Sequence, residues 1–254
     1  MNPQIPLPTG WDLLSRLRFP QWIVHLSEEA LDLLFPPRCA GCGRPGGSWC
    51  PACAAAISPL VPPVCSLCGI PWSRGERCPR CEADPLRLDG VRSCYIYSGP
   101  IRRALHRLKF HGRYRLAQAL AAWMTEGWAR FAMEADLLVP VPASSARQRL
   151  RGYNQAAMLA QALAERVTIP FCPRALHRVR PTPSQVGLTQ SARRENVRGA
   201  FVADPQWVRG KRVVVVDDVC TSGATLEACA AALYQAGAQS VWGFTLARVI
   251  LKGR

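Results

Sequence analysis

Two sets of side chains in this sequence have the type and spacing to do chemistry: a pair of adjacent acids behind an apolar run, and eight cysteines in four evenly built pairs. The acids are Asp217 and Asp218. They follow Val213-Val214-Val215-Val216 and lead into Val219-Cys220-Thr221-Ser222-Gly223-Ala224-Thr225. Four consecutive β-branched residues predict a strand buried on both faces. The small residues behind it predict a loop that opens a helix, and the N–H groups of such a loop cradle an anion. In open α/β sheets, ligands bind at the carboxyl ends of the strands. Acids facing the cradle accept hydrogen bonds from sugar hydroxyls, so phosphate and diol together describe a ribose 5-phosphate. A Walker B strand also ends in two acids, but no GxxxxGK(S/T) accompanies it in this chain. A receiver-like acidic pocket leaves the small-residue loop unexplained.

The cysteine pairs are Cys39/Cys42, Cys50/Cys53, Cys65/Cys68 and Cys78/Cys81. A CxxC sets two thiolates on one tight turn, and two such turns complete a tetrahedral S4 zinc site. Gly43 and Gly69, each following a second cysteine, suit the knuckle. The expectation is two zinc ions in a structural role, because four thiolates leave no open position. Sequential pairing puts the first two pairs on one metal and the last two on another; a cross-braced arrangement uses the same residues. A disulfide framework conflicts with the lack of an export signal, and iron–sulfur spacings differ. A thioredoxin-like motif needs one CxxC at a helix start. Gly41-Cys42-Gly43-Arg44-Pro45-Gly46 matches GxGxxG by letter, but follows no strand and opens no helix. Cys94, Cys172, Cys220 and Cys229 read as small buried apolar residues.

The run 213–225 resembles the phosphoribosyl pyrophosphate (PRPP) motif of type I phosphoribosyltransferases. Leu138-Val139-Pro140-Val141-Pro142, with Arg147, Arg149 and Arg151-Gly152-Tyr153-Asn154-Gln155, resembles the "VPVP…R…RGfNQ" element of the ComF family. Arg180-Pro181-Thr182-Pro183-Ser184-Gln185, Leu188-Thr189 and residues 193–201 resemble its "T..Q..L…R..NV.gAF" segment, with Arg178 or Arg180 as the basic residue before the threonine. Lys109-Phe110 with Gly112 and Arg113 resembles its "LKf.g" opening. The resemblance implies that Asp217 and Asp218 hold the ribose 2- and 3-hydroxyls, and that Thr221, Ser222, Gly223, Ala224 and Thr225 hold the 5-phosphate. It makes Lys109 and Arg151, with the two acids, candidate catalytic residues, and Arg147 and Arg149 candidate ligands of the phosphates. It implies Mg²⁺ bound with PRPP, displacement of pyrophosphate from the ribose C1 carbon, and a long loop over 180–201 that closes on the site. No acceptor can be read. The family further implies a part in natural competence and DNA uptake, with single-stranded DNA, a competence helicase or other DNA-processing proteins as candidate partners. The competing class is a catalytically silent, PRPP-responsive module that binds single-stranded DNA; a scaffold that has lost PRPP conflicts with the intact acids and loop.

The elements that must position these groups follow from periodicity. Strands are expected over 93–97, 136–141, 211–216 and 241–247, and helices over 101–110, 116–133, 153–167 and 225–236. Such alternation predicts an α/β fold of the phosphoribosyltransferase type, a mostly parallel sheet covered by helices, with a small Cys-rich zinc-ribbon module on its N-terminal side. The expected divisions are a helical segment at 1–38, the double ribbon at 39–83 and the phosphoribosyltransferase-like domain at 84–254. Apolar residues at Leu13, Leu14, Leu17, Trp22, Val24, Leu26, Leu31 and Leu34 suit one or two amphipathic helices ending at Pro36-Pro37.

With 49% hydrophobic residues in 254, the chain can build a core. Its net charge of +15 comes almost wholly from arginine, Lys109, Lys211 and Lys252 being the only lysines. Arginine pairs bidentately with phosphate, so a polyanionic ligand is favoured. Arg102, Arg103, Arg107, Arg113 and Arg115, with Lys109, Phe110 and Tyr114, are candidate contacts for unpaired bases. No RNP, KH or helix-turn-helix signature accompanies them. No apolar run is long enough to span a bilayer and no leader pattern opens the chain, which predicts a cytoplasmic protein.

Overall fold

The computed structural model describes residues 38–111, 114–183, 187 and 189–250, the side chains of 110, 111, 114, 115, 145–147 and 190 apart. The amphipathic segment expected before residue 38 lies outside the described residues. A parallel sheet runs in the order β1 (Gly90–Ile96), β6 (Ser240–Arg248), β5 (Arg212–Cys220), β2 (Leu137–Pro140). A short antiparallel pair, β3 (Leu176–Arg178) and β4 (Phe201–Ala203), stands apart from it. The helices are α1 (Pro51–Ala55), α2 (Pro79–Ala83), α3 (Gly99–His111), α4 (Tyr114–Arg130), α5 (Ser145–Arg151), α6 (Gln155–Val167), α7 (Gln190–Val197), α8 (Pro205–Val208) and α9 (Ala224–Gln235).

The valine run of β5 explains the layering. Successive side chains of a strand point to opposite faces. Val214 and Val216 enter one core with Leu138, Phe244 and Leu246, covered by Leu105 and Leu108 of α3, Leu120 and Met124 of α4, and Leu159 and Leu163 of α6. Val213 and Val215 enter the other with Leu137, Val139 and Val241, covered by Leu226, Cys229, Ala230 and Leu233 of α9. These helix positions recur three and four apart, the spacing that keeps one face on the sheet. Each fully buried leucine contributes about 1.5–3 kcal/mol.

The second cysteine cluster belongs to that other core. Cys65, Cys68, Cys78 and Cys81 are buried among Leu86, Leu88 and Val91, in the same cluster as the inward residues of α9. The Val91 N–H donates to the Leu67 carbonyl at 2.8 Å, so the ribbon also caps the edge strand β1. The first cluster sits on the opposite layer. Trp49 packs on Trp123 of α4 at 5.3 Å between ring centroids, and Arg103 and Arg107 of α3 reach its backbone carbonyls.

Several elements differ from those expected. β5 continues four residues past the expected end at 216, because Asp217, Val219 and Cys220 remain paired with Thr245, Ala247 and Arg248 of β6. The acids therefore stand inside the strand. The arginine segment 147–151 is helical, as α5. The span expected as a structureless loop holds α7, whose N-cap Thr189 accepts from the Ala192 N–H, and ends in β4. Short polar elements of this kind take their stability from neighbours rather than from periodicity, so the sequence pattern passes over them.

Candidate functional site

The strand ends β2 and β5 open into a cleft of about 390 Å³. It is lined by Tyr97, Lys109, Val141, Pro142, Ala143, Arg151, Asn154, Gln155, Ala156, Arg178, Thr182, Pro183, Arg193, Asp217, Asp218, Val219, Thr221, Thr225 and Val249. Its walls come from distant stretches of sequence. Lys109 arrives from the last turns of α3 and pairs with Asp218 at 2.8 Å. The α5–α6 junction is pinned beside it by Tyr153, whose hydroxyl donates to the Leu108 carbonyl at 2.5 Å. Asn154 caps α6 by accepting from the Ala156 N–H and donates to the Val141 carbonyl, both at 3.0 Å. That pair of hydrogen bonds fixes the angle between the end of β2 and the start of α6.

The two acids have different surroundings. The Asp217 carboxylate accepts from the Asp218 N–H at 2.8 Å. Enclosure, and then the neighbouring Asp218 charge, hold its carboxyl well above the usual carboxylate range. Asp218 is buried and faces Lys109. Burial works against the ammonium of Lys109, but Asp218 outweighs it and Lys109 stays above its ordinary value. Behind the acids, Thr221, Ser222, Gly223, Ala224 and Thr225 form a small cradle at the start of α9. Gly223 takes the left-handed conformation there, with φ at +88°. The first N–H groups of a helix lack intrahelical partners, which makes the cradle a place for an anion.

Basic side chains face the acids from the other walls. Arg151 donates to the Gln155 side chain at 3.0 Å. Arg178 donates to the Thr182 hydroxyl at 2.9 Å and lies over the Phe201 ring. Arg193 of α7 donates to the Thr221 hydroxyl at 3.2 Å, so the segment 180–201 touches the cradle directly. Of Arg178 and Arg180, it is Arg178 that lines the cleft; Arg180 donates to the carbonyls of Asn196 and Arg198. Arg149 is exposed and is not among the lining residues, because on a helix it turns away from its neighbour two positions on. The Arg147 side chain lies outside the described ones. Sequence reasoning passed over Tyr97, the contact of Arg193, and Arg80. The last sits inside the final CxxC, between two metal-ligand candidates, and no local pattern marks it.

The basic stretch of α3 is largely engaged. Arg103 donates to the Gly41 carbonyl at 2.7 Å, and Arg107 to the carbonyls of Cys39 and Ala40 at 2.7 and 2.9 Å. With Lys109 on Asp218, these side chains serve the fold before any nucleic acid. Arg102 is exposed; Arg113 and the side chains of Phe110, Tyr114 and Arg115 lie outside the described ones.

The sulfurs resolve the pairing. Those of Cys39, Cys42, Cys50 and Cys53 all lie within 4.8 Å of one another, as do those of Cys65, Cys68, Cys78 and Cys81. The arrangement is sequential. Cys42 and Cys50 sulfurs are 3.7 Å apart, as are those of Cys68 and Cys78. A tetrahedron with zinc–sulfur bonds of about 2.3 Å requires about 3.8 Å between sulfurs, so both sets fit structural zinc. The clusters repeat one design. The N–H of the third cysteine donates to the sulfur of the first at 3.3 and 3.4 Å, and the knuckle glycines Gly43 and Gly69 donate to its carbonyl. Cys94, Cys220 and Cys229 are buried, and Cys172 is half-buried.

Two stretches of the chain match known family models. Residues 30–82 match the model of the double zinc ribbon domain, and residues 154–250 that of the phosphoribosyl transferase domain. The chain is 32% identical over 207 residues to the DNA utilization protein YhgH of Salmonella typhimurium, covering 79% of this chain and 90% of that protein. It is 30% identical over 180 residues to Competence protein F of Haemophilus influenzae, covering 68% and 79%. Among solved structures, glutamine PRPP amidotransferase from B. subtilis is similar at 23% identity and a TM-score of 0.39, over 55% of this chain and 30% of that one.

Proposed function

The chain belongs to the ComF family, and on that premise we propose that it binds PRPP in the cleft at the ends of β2 and β5 and serves in competence and the use of DNA. One observation carries the reading: two adjacent acids, a small-residue cradle at a helix N-terminus and four basic side chains meet in a single cleft. Asp217 and Asp218 accept from the ribose hydroxyls, and the N–H groups of 221–225 take the 5-phosphate. Lys109, Arg151, Arg178 and Arg193 face the pyrophosphate, whose departure from C1 leaves an oxocarbenium-like carbon and places negative charge on the leaving oxygens. Two carboxylates are a donor set suited to a hard cation, which supports Asp217 and Asp218 as the holders of Mg²⁺. Bound there, the ion supplies charge that favours release of pyrophosphate. No nucleophilic side chain is required, so the chain's own part is to orient the sugar and neutralise the leaving group. Among the described residues no helix is long and apolar enough to cross a membrane. Eight of the twelve cysteines gather in two zinc-type sets rather than in disulfides, which suits a reducing compartment, and we place the protein in the cytoplasm.

The direct test is calorimetric titration of PRPP with Mg²⁺, followed by assay of pyrophosphate release with candidate acceptors. Replacing both acids, as Asp217→Asn with Asp218→Asn, is expected to weaken PRPP binding about tenfold or more, since a charged hydrogen bond is worth about 1.5–3 kcal/mol. Equal affinity in a folded double variant would remove PRPP from this cleft.

A further inference from the structure

The metal module and the cradle are in direct contact through a residue that the proposed function leaves unused. Arg80 stands between Cys78 and Cys81 on α2. Its guanidinium donates to the carbonyl oxygen of Ser222 at 2.5 Å, across 142 residues of sequence. A trans peptide points its C=O and the following N–H in opposite directions. Holding the Ser222 carbonyl on the ribbon therefore turns the Gly223 N–H away from it. The segment that directly follows the ribbon presses on the loop from behind, since a Cβ at Gly223 would fall 2.9 Å from Leu86 Cδ1. The Arg87 N–H donates to Glu227 in the first turn of α9 at 3.0 Å. Cys220, just before the cradle, accepts from the fully buried Arg248 at 3.0 Å, within the cluster that also holds the four cysteines of the second ribbon. Among the described residues, the first ribbon makes no comparable bond to this loop: its bonds from the body go to α3.

We infer that the second zinc ribbon is the back wall of the 5-phosphate cradle and that Arg80 is a positioning residue, acting through Ser222 to aim the loop's N–H groups. The assignment rests on the PRPP reading above and deepens it. A guanidinium fixed behind the loop adds positive potential on the side from which a phosphate is held, and it does so without touching the ligand. The consequence is selective. A ligand that uses the cradle depends on Arg80; one that uses only the acids and the arginine walls does not.

Three probes separate these cases: PRPP, ribose 5-phosphate, and pyrophosphate alone, each titrated with Mg²⁺ into the full chain and into Arg80→Met and Arg80→Lys. Zinc content and thermal unfolding are read on the same samples. The expected result for Arg80→Met is a loss of about tenfold in affinity for PRPP and ribose 5-phosphate, no change for pyrophosphate, and unaltered zinc. Arg80→Lys, which keeps a donor, recovers part of the loss. Unchanged binding of all three probes overturns the assignment, and so does an equal loss for all three, which would make Arg80 a general support of the fold. Zinc lost from Arg80→Met, with Arg80→Lys binding as the parent does, overturns it too, by assigning the side chain to the metal site. A parent protein that binds none of the probes overturns the PRPP reading itself, and that outcome is visible before any variant is made.

Discussion

Asp217 and Asp218 are neighbours in sequence with opposite electrostatic situations. Asp218 has a cation at 2.8 Å, whereas Asp217 is half-buried at the cleft wall beside a like charge, and desolvation first, then Asp218, raises its pKa well above the ordinary value. A carboxyl with a raised folded-state pKa lends stability that is fully present below its unfolded value of about 3.9 and is lost as pH rises through the folded value. The ligand-free protein should therefore carry a destabilising Asp217 near neutral pH and none near pH 4. Asp217→Asn is expected to raise the melting temperature at neutral pH, to change it little under acid, and to weaken PRPP binding throughout. Thermal unfolding across that pH range checks it; a variant that melts lower at neutral pH would refute the argument. The acids themselves were plain in the sequence, because a valine run followed by two carboxylates and a small-residue loop has few other uses. Lys109 was legible only by family likeness. Its partner lies half the chain away, and no local pattern records a contact made by folding.

At the scale of elements, the segment between β3 and β4 is where sequence reasoning met its limit. Its polar residues promised a loop, and the structure makes a helix of Gln190–Val197 whose arginines do the holding. Arg194 pairs with Glu227 of α9 at 2.7 Å and with Asp84, and donates to the Pro85 carbonyl at 3.2 Å. Arg193, one position before, lies on Thr221. Both contacts are between segments far apart in sequence, so neither composition nor periodicity encodes them, and the three-residue strands that flank the segment are too short to alternate visibly. Strand β5, by contrast, announced itself, because a strand buried on both faces needs nothing beyond an unbroken apolar run. The network predicts what releases the helix. Arg194→Ala should cost about 1 kcal/mol through the lost contact with the half-buried Glu227. It should speed amide exchange across 190–197 more than elsewhere, and PRPP should leave faster. Exchange rates in that segment matching those of the parent would show that Arg194 does not hold it.

The described residues form a three-layer α/β body in which one metal cluster is part of a layer and the other is attached to one. Cys65, Cys68, Cys78 and Cys81 are at most 1% exposed and share a core with β5 and α9. Of the first set, Cys42 is exposed and Cys50 half-buried, and the ribbon is held by Trp49 on Trp123 and by two arginines of α3. The sequence does not distinguish these situations, since both ribbons are two CxxC pairs joined by a short connection, of seven residues in the first and nine in the second, and what separates them is what folds over them. A chelator reaches a site through the opening of the structure around it, so the two zincs should leave by different events. Two zinc ions per chain are expected, counted with a metal-sensitive dye after denaturation. Under a strong chelator in native buffer, one equivalent should be released early with the main melting transition nearly unmoved. The second should be released only with global unfolding, together with PRPP binding, because removing it leaves four thiols in the core beneath the cradle. Cys42→Ser should shed the early zinc and keep the late one, while Cys68→Ser should lower the melting temperature by many degrees or abolish folding. A single release phase for both ions, or a Cys68→Ser protein as stable as Cys42→Ser, would mean that the second ribbon is as peripheral as the first, and that the metal and the ligand site are independent after all.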